Sequence, residues 1–403
     1  MVGQSGLSDF FEQFLQREPI FVNKKVLQSN YMPDAILHRK KQLEFLANIL
    51  APALRSEKPA NIFIYGKTGT GKTLVAQHTL DMLARAAESR NLKIKSIYVN
   101  CKLKKVSDTE YRIVTELARS MGQDLPATGL PTDEVWNKFL AAIDVEPQIV
   151  IVVLDEIDRF VSKVGDEILY NLTRINSELK KAQVSLVGIS NDVRFIENVD
   201  ARVRSSLGEE DIVFTPYNAL ELKEILEKRA SSAFRANAIG SGVLEKCAAY
   251  AAKEHGDARR ALDLLRAAGE IAEREGVQHI LPEHIDRAED RIERDRVLEI
   301  TVAQPKQSQI VLYSILELMP NSGKKIETGE IYERYLQLCR QTGSSGLTQR
   351  RVSDLIGELD MIGLINAKVI SKGRYGRTRQ IYLTIPDDMV QKIRDKLKAD
   401  LEV

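Results

Sequence analysis

From residue 34 onward, short apolar runs rich in β-branched residues alternate with longer amphipathic stretches. The runs at 61–65, 96–100, 149–154 and 184–189 are strand candidates, and helix-length segments separate them. This alternation predicts a parallel sheet with helices on both faces. After Pro216 the rhythm becomes helical only, over about 218–235, 241–254, 257–273 and 282–297, with Pro282 at a first-turn position of the last. These four helices predict a small all-α lid domain. Residues 301–308 read as a linker. Helix patterns at 308–319, 327–341 and 348–361 follow, and then two β-like runs, 365–371 and 380–385. Three helices followed by a hairpin is the order of a winged helix. Residues 1–30 are irregular, with an aromatic run at 10–15 ahead of Pro19, and read as an arm that docks on the next domain. The expected organisation is an arm (1–30), an α/β base domain (31–216), an all-α lid (217–300) and a C-terminal winged helix (301–403).

Composition narrows the class. With 43% hydrophobic and 29% charged residues in a 403-residue chain, neither a disordered nor a fibrous protein fits. No apolar stretch approaches the ~18 residues a membrane helix needs, and the N-terminus lacks the order of a signal peptide, so a cytosolic location without a membrane partner is expected. Cys101, Cys247 and Cys339 are far apart and form no CxxC pair, which argues against disulfides and structural zinc. The net charge of +1 conceals an asymmetry: within 340–379 there are 8 basic residues against 3 acidic ones. A basic C-terminal part suggests a face for a polyanion, although a solvated charged face gives the same count.

The sharpest chemistry lies in Gly66-Lys67-Thr68-Gly69-Thr70-Gly71-Lys72-Thr73, a full GxxxxGK[ST] between a predicted strand and a predicted helix. Glycines let such a loop turn its N–H groups toward phosphates, which also face a helix N-terminus. Lys72 would reach the β- and γ-phosphates, and Thr73 would offer a hydroxyl to Mg²⁺. Downstream, the apolar run ending at Leu154 leads into Asp155-Glu156. Asp155 is placed to hold Mg²⁺, and Glu156 to orient and deprotonate an attacking water; Asp158 reads equally as a helix cap. Asn191, at the end of the 184–189 run, reads as a γ-phosphate sensor or as an Asx turn. Arg259, opening a lid helix, could reach back to the γ-phosphate because its planar fork binds phosphate bidentately. Arg260 and Arg266 read as solvated or ion-paired. Arg202 and Arg204 are candidates for a finger donated to a neighbouring subunit, against surface or DNA-facing arginines. ATP/ADP and Mg²⁺ are therefore the expected cofactors, with Tyr217 counted among the nucleotide-binding residues.

Taken together, Tyr31-x-Pro33, His38-Arg39, GKTGTGKT at 66–73, VVLDEID at 152–158, GISND at 188–192, ARVRSSLG at 201–208 and GDARRALDLLR at 256–266 resemble the archaeal replication initiators. These are single-chain relatives of the eukaryotic origin recognition complex and its cell-division-cycle ATPase, within the AAA+ class. The resemblance continues through LTQRRVSDLIGELDMIGLI at 347–365 and SKGRYGRTRQIYL at 371–383. It implies an ATP-regulated initiator, with weak Mg²⁺-dependent ATPase activity, that binds origin double-stranded DNA and helps recruit the replicative helicase on the nucleoid, beside possible paralogous initiators. It also implies that Tyr31 and Arg39 lie beside the adenine, and that residues 108–140 hold an insertion that touches DNA.

In the winged helix, Thr348, Gln349, Arg350, Arg351 and Ser353 crowd the start of a helix whose apolar residues recur every three to four positions. That polar end is free to enter a major groove. The hairpin residues Lys372, Arg374, Tyr375, Arg377 and Arg379 can reach phosphates or the minor groove. An alternative reading is an ATP-switched transcription regulator that uses the same wing on promoters; a clamp loader would have no use for the wing.

Overall fold

The computed structural model describes residues 18–102, 109–126, 128–207, 209–319, 325–371 and 377–402. The chain divides into two compact units, one up to Ile285 and one from Asp286 on.

The first unit contains α1 (Lys40–Leu50), β1 (Asn61–Gly66), α2 (Lys72–Glu88), β2 (Ile94–Asn100), α3 (Glu110–Ser120), α4 (Thr132–Ile143), β3 (Ile149–Asp155), α5 (Ile157–Val164), α6 (Glu167–Arg174), β4 (Gln183–Ser190), α7 (Ala201–Leu207) and β5 (Glu209–Phe214). The lid helices α8 (Ala219–Ala233), α9 (Val243–Lys253) and α10 (Ala258–Glu275) follow, and α11 (Pro282–Val302) begins in this unit. The five strands are all parallel, in the order β2-β3-β4-β1-β5. Every residue of β1 and β3 is buried, as expected for central strands covered on both faces. One face packs Ile97, Val99, Val150, Val152 and Leu154 against α3 and α4. The other packs Ile62, Ile64, Ile151 and Val153 against α1 and α2. Gly188 on β4 is small because an added Cβ would strike the Phe63 ring, 2.5 Å away.

The arm was expected to dock on the domain that follows it; residues 20–23 pack instead on the lid, further along the chain. Val22 and Asn23 donate to the Ala233 carbonyl at 2.8 and 3.1 Å, and the Phe21 and Phe234 rings sit 4.8 Å apart over Gly269. The aromatic run at 10–15 lies outside the described residues.

The second unit takes α11 from Asp286 on, then α12 (Lys306–Leu318), β6 (Ile326–Glu327), α13 (Thr328–Gln341), α14 (Gln349–Met361), β7 (Ile365–Ser371), β8 (Arg377–Leu383) and α15 (Asp387–Leu401). The strands form an antiparallel sheet in the order β6-β8-β7. The expected linker at 301–308 is mostly helix end: Thr301 is buried with its hydroxyl on the Val297 carbonyl (2.8 Å), and Gln309 Nε2 donates to the Val302 carbonyl (2.9 Å).

Candidate functional site

Strand order brings the separate motifs together. Because β4 lies between β3 and β1, the C-terminal ends of all three strands meet, and ligands of open α/β sheets sit at such an edge. There β1 feeds the loop 66–71 and then the N-terminus of α2. Gly66, Gly69 and Gly71 all have positive φ (151°, 73° and 90°), which side chains tolerate poorly, and the structure crowds each of them.

Lys72 is 5% exposed, and its ammonium donates to the carbonyls of Gly66 (2.6 Å) and Lys67 (2.8 Å) and to Asn191 Oδ1 (2.8 Å). Burial lowers its pKa to about 8; the nearby Asp155 charge opposes that shift and Arg259 adds to it. Asn191 is held in turn by its N–H on Asp158 Oδ1 at 3.1 Å, so Asp158 braces the loop that follows β4. Asp155 is 4% exposed, and its Oδ2 accepts from Thr73 Oγ1 (2.8 Å) and Tyr98 (2.5 Å). The Tyr98 phenol is raised well above its usual range, first by burial and then by this bond. Thr73 and Asp155 thus converge as hard oxygen donors, the set that suits Mg²⁺. Glu156 occupies the left-handed region (φ 54°), a local strain for a residue with a side chain, and its N–H donates to Asp155 Oδ1 at 2.9 Å. Lys102 (3.8 Å) and Arg159 (3.5 Å) flank it, and its Oε2 makes no hydrogen bond among the described residues.

The lid closes the site. Asp257 caps α10 by accepting from the N–H groups of Arg259 (2.7 Å) and Arg260 (3.2 Å), and the Ala258 N–H donates to the Gly69 carbonyl (3.2 Å). A cavity of about 510 Å³ results, lined by Tyr31, Gly69, Gly71, Thr73, Tyr98, Tyr217 and Arg259 among others. Lys67 and Thr68 form the exposed tip of the loop, and Thr70 is buried with its hydroxyl on the Lys67 carbonyl. Arg39 does not line this cavity. Its guanidinium lies behind the loop, on the carbonyls of Thr70 and Thr215. Arg229 and Tyr98 line the cavity without having been expected there; Arg229 stacks on Tyr31, 4.7 Å from the ring centre. Neither carries a local sequence signal, since both arrive by tertiary closure.

Elsewhere, Arg260 pairs with Glu254 (3.0 Å) and Arg266 with Glu270 (2.9 Å) and Asp263 (3.2 Å). Arg202 pairs with Asp200 at 3.1 Å, and Arg204, two residues further along α7, is exposed. Helices α3 and α4 carry the 108–140 segment and pack into the core; Glu110 Oε1 accepts from Trp136 (3.1 Å) and Asn171 (3.0 Å).

In the second unit, Thr348 caps α14 by accepting from the Arg351 N–H at 3.4 Å. Gln349, Arg350, Ser353 and Arg379 line one cleft between the start of α14 and the hairpin. Arg351 does not line it and pairs with Glu358 (3.4 Å). Arg379 lies across Gly357 and donates to the Ser353 carbonyl at 3.2 Å. Lys372, Arg374 and Tyr375 lie outside the described residues, as does the Arg377 side chain.

Residues 55–196 match the AAA domain family, 223–290 the Cdc6 AAA+ ATPase-type lid domain and 299–393 the CDC6 C-terminal winged helix domain. The ORC1-type DNA replication protein 1 of Methanosarcina acetivorans is 50% identical over 395 residues, covering 98% of this chain and 94% of that one. The chain belongs to the ORC1-type DNA replication protein family. The family member from Pyrococcus furiosus is 48% identical over 99% of this chain and 95% of its own. Among solved structures, the Aeropyrum pernix ORC1 protein in complex with DNA is 46% identical with a TM-score of 0.83, covering 94% of this chain and 97% of that one. The Cdc6p of Pyrobaculum aerophilum, at 23% identity and TM-score 0.60, shares the fold over 95% of this chain and all of its own. An α/β P-loop AAA+ domain, an all-α lid and a C-terminal winged helix are thus the architecture of the family. No helix among the described residues is long and apolar enough to cross a membrane.

Proposed function

We propose that the chain is an ATP-switched replication initiator that binds origin double-stranded DNA and helps recruit the replicative helicase, acting in the cytoplasm on the nucleoid. The observation that carries this reading is the convergence of Lys72, Thr73, Asp155, Asn191 and Arg259 on one edge of the sheet in a member of the ORC1-type family. On binding ATP, Lys72 exchanges its carbonyl partners for the β- and γ-phosphates, and Asn191, released from Lys72, faces the γ-phosphate. Thr73 and Asp155 would hold Mg²⁺, which offsets phosphate charge when bound. Glu156 takes the proton of the attacking water, and Arg259 carries the lid toward the γ-phosphate. Turnover is slow, as suits a switch. Tyr31 and Tyr217 border the base, and Arg202 or Arg204 serves a neighbouring subunit, either a second copy or a paralogous initiator.

Double-stranded DNA enters at the cleft of Gln349, Arg350, Ser353 and Arg379. The hairpin residues Lys372, Arg374, Tyr375 and Arg377 add phosphate contacts, with Thr348 and Arg351 at the rim and the 108–140 segment as a second contact. The deciding experiment measures ATP binding, ATP cleavage and origin retention together. Lys72→Ala should lose ATP, Glu156→Gln should hold ATP uncleaved, and Arg350→Ala should relax sequence preference by about 1–3 kcal/mol. Equal cleavage by wild type and Glu156→Gln would remove Glu156 from its role, and failure of the wild type to prefer origin DNA would remove the initiator reading.

A further inference from the structure

Arg39 is 2% exposed and, among the described residues, has no carboxylate partner. Its Nε donates to the Thr70 carbonyl at 3.0 Å and its Nη2 to the Thr215 carbonyl at 2.7 Å. The guanidinium lies 3.8 Å from the centre of the Tyr217 ring and 5.6 Å from that of Phe214. One side chain therefore joins the phosphate loop to residues 214–217, the crossover from β5 into the lid helix α8. The same crossover touches the loop at two further points. A Cβ at Gly66 would fall 2.5 Å from the Phe214 carbonyl, and one at Gly71 would fall 2.9 Å from the Tyr217 hydroxyl. Beyond it, the Tyr217 N–H donates to the Gly256 carbonyl (3.3 Å), just ahead of α10 and Arg259.

We infer that Arg39 is a positioning residue that locks the phosphate loop to the hinge of the lid, so that phosphate held by the loop is felt at residues 214–217 without passing through Arg259. This inference rests on the nucleotide reading of the site. The chemistry favours arginine specifically: a planar fork meets two divergent carbonyls and an aromatic face at once, whereas a lysine ammonium is a point charge that cannot do all three. Packing alone does not call for such a group, because apolar residues of similar volume stabilise an interior at least as well as a buried charge. The contact lies directly beside the phosphate-facing residues, since Thr70 immediately precedes Gly71 and Lys72.

The test uses the full chain as wild type, Arg39→Lys, Arg39→Met, Tyr217→Leu and the Arg39→Lys/Tyr217→Leu pair. Fluorescent ADP is titrated, and amide hydrogen exchange at 214–219 is followed with and without saturating ADP. In the wild type, ADP should slow exchange at the hinge. Arg39→Lys should bind ADP about tenfold more weakly, the cost of about one charge-assisted hydrogen bond, and should lose that slowing even when saturated. A brace that served stability alone would lower the melting temperature and leave the response of the hinge to ADP intact. Arg39→Lys and Tyr217→Leu should be strongly non-additive, because both break the same stack. Wild-type slowing in saturated Arg39→Lys would overturn the inference. Loss of the fold in Arg39→Lys, judged by circular dichroism, would also overturn it by making Arg39 a general prop; loss in Arg39→Met alone leaves the lysine variant to decide. Absence of ADP binding by the wild type would overturn the nucleotide reading as well, and that arm tells the two failures apart.

Discussion

Gly69→Ala is the sharpest probe of how the phosphate loop and the lid fit together. Gly69 has φ +73°, and an added Cβ would overlap the carboxylate of Asp257. An alanine in that conformation costs about 1–2 kcal/mol. Moving Asp257 aside releases its bonds to the Arg259 and Arg260 N–H groups, a cap worth about 1 kcal/mol. Displacing the start of α10 also breaks the bond between the Ala258 N–H and the Gly69 carbonyl, about 1 kcal/mol more. The sum is about 3–4 kcal/mol, which should lower the first calorimetric transition by roughly 5–10 °C for a unit of this size. Arg259 should leave the cavity with the helix end, so the variant should bind ATP more weakly. Asp257→Ser keeps a capping oxygen on a shorter side chain, and in that background the alanine should cost only its backbone strain, about 1–2 kcal/mol. An equal cost of Gly69→Ala in both backgrounds would refute the reasoning, because it would mean that the methyl group and Asp257 do not compete for space.

Lys72 predicts a pH dependence. With its pKa lowered to about 8, the free protein loses this charge above about pH 8, whereas phosphate requires it. ADP affinity with metal chelated should therefore fall about tenfold per pH unit above pH 8, and a flat affinity from pH 7 to 9.5 would refute the assignment. The same shift costs the free protein stability below pH 8 and is relieved as pH rises from about 8 to 10.5, where the unfolded chain binds more protons. Tyr98→Phe removes one of the donors to the buried Asp155 and should cost about 1.5–2 kcal/mol in urea unfolding without Mg²⁺, and less with it; an equal cost in both would show that no cation takes over that oxygen. Gly357→Ala places a Cβ 2.9 Å from Arg379 Nη1, so it should weaken DNA binding about as much as Arg379→Ala in a titration; wild-type affinity would show that Arg379 does not act from this position.

The hydrophobic rhythm was legible where both faces of a strand are buried, as in β1, β3 and β4, and on the edge strand β2 through its alternating buried Ile97 and Val99. Strands β1, β2, β3 and β4 extend the expected 61–65, 96–100, 149–154 and 184–189 by at most two residues at either end. β5 escaped because half of its six residues are the acids Glu209-Glu210-Asp211, and Val213, opposite Tyr65, is 45% exposed on the edge of the sheet, so too few apolar positions remain to show a pattern. β6 is two residues long, below any periodicity, and α15 was passed over although Met389, Val390, Ile393 and Leu397 recur at helical spacing. β8 begins three residues earlier than its apolar run, because Arg377, Thr378 and Arg379 pair with Ser371, Ile370 and Val369 of β7.

The site divides along a different line, between contacts made within a motif and contacts made by closure of the chain. Within 66–73, spacing alone dictates that Lys72 and Thr73 open a helix behind a glycine loop, and the structure follows. Bringing Asp155 and Asn191 to Lys72 and Thr73 requires β4 to lie between β3 and β1, an order that a list of strands does not contain. Arg39 lies further still from what spacing can reach. The resemblance put it beside the base, yet its 2.7 Å bond ends on Thr215, 176 residues away, where the chain turns into the lid. A buried arginine without an acid cannot be told from a surface one in sequence: Arg39 leads into the charged run Lys40-Lys41-Gln42-Leu43-Glu44, a context that suits a solvated arginine equally well. The difference arises when β5 pairs with β1 and carries Phe214 and Tyr217 behind the phosphate loop, giving the guanidinium two carbonyls and an aromatic face. The residues proposed to sense phosphate were therefore readable from type and spacing, whereas the residue proposed to relay their state takes its place only in the completed sheet.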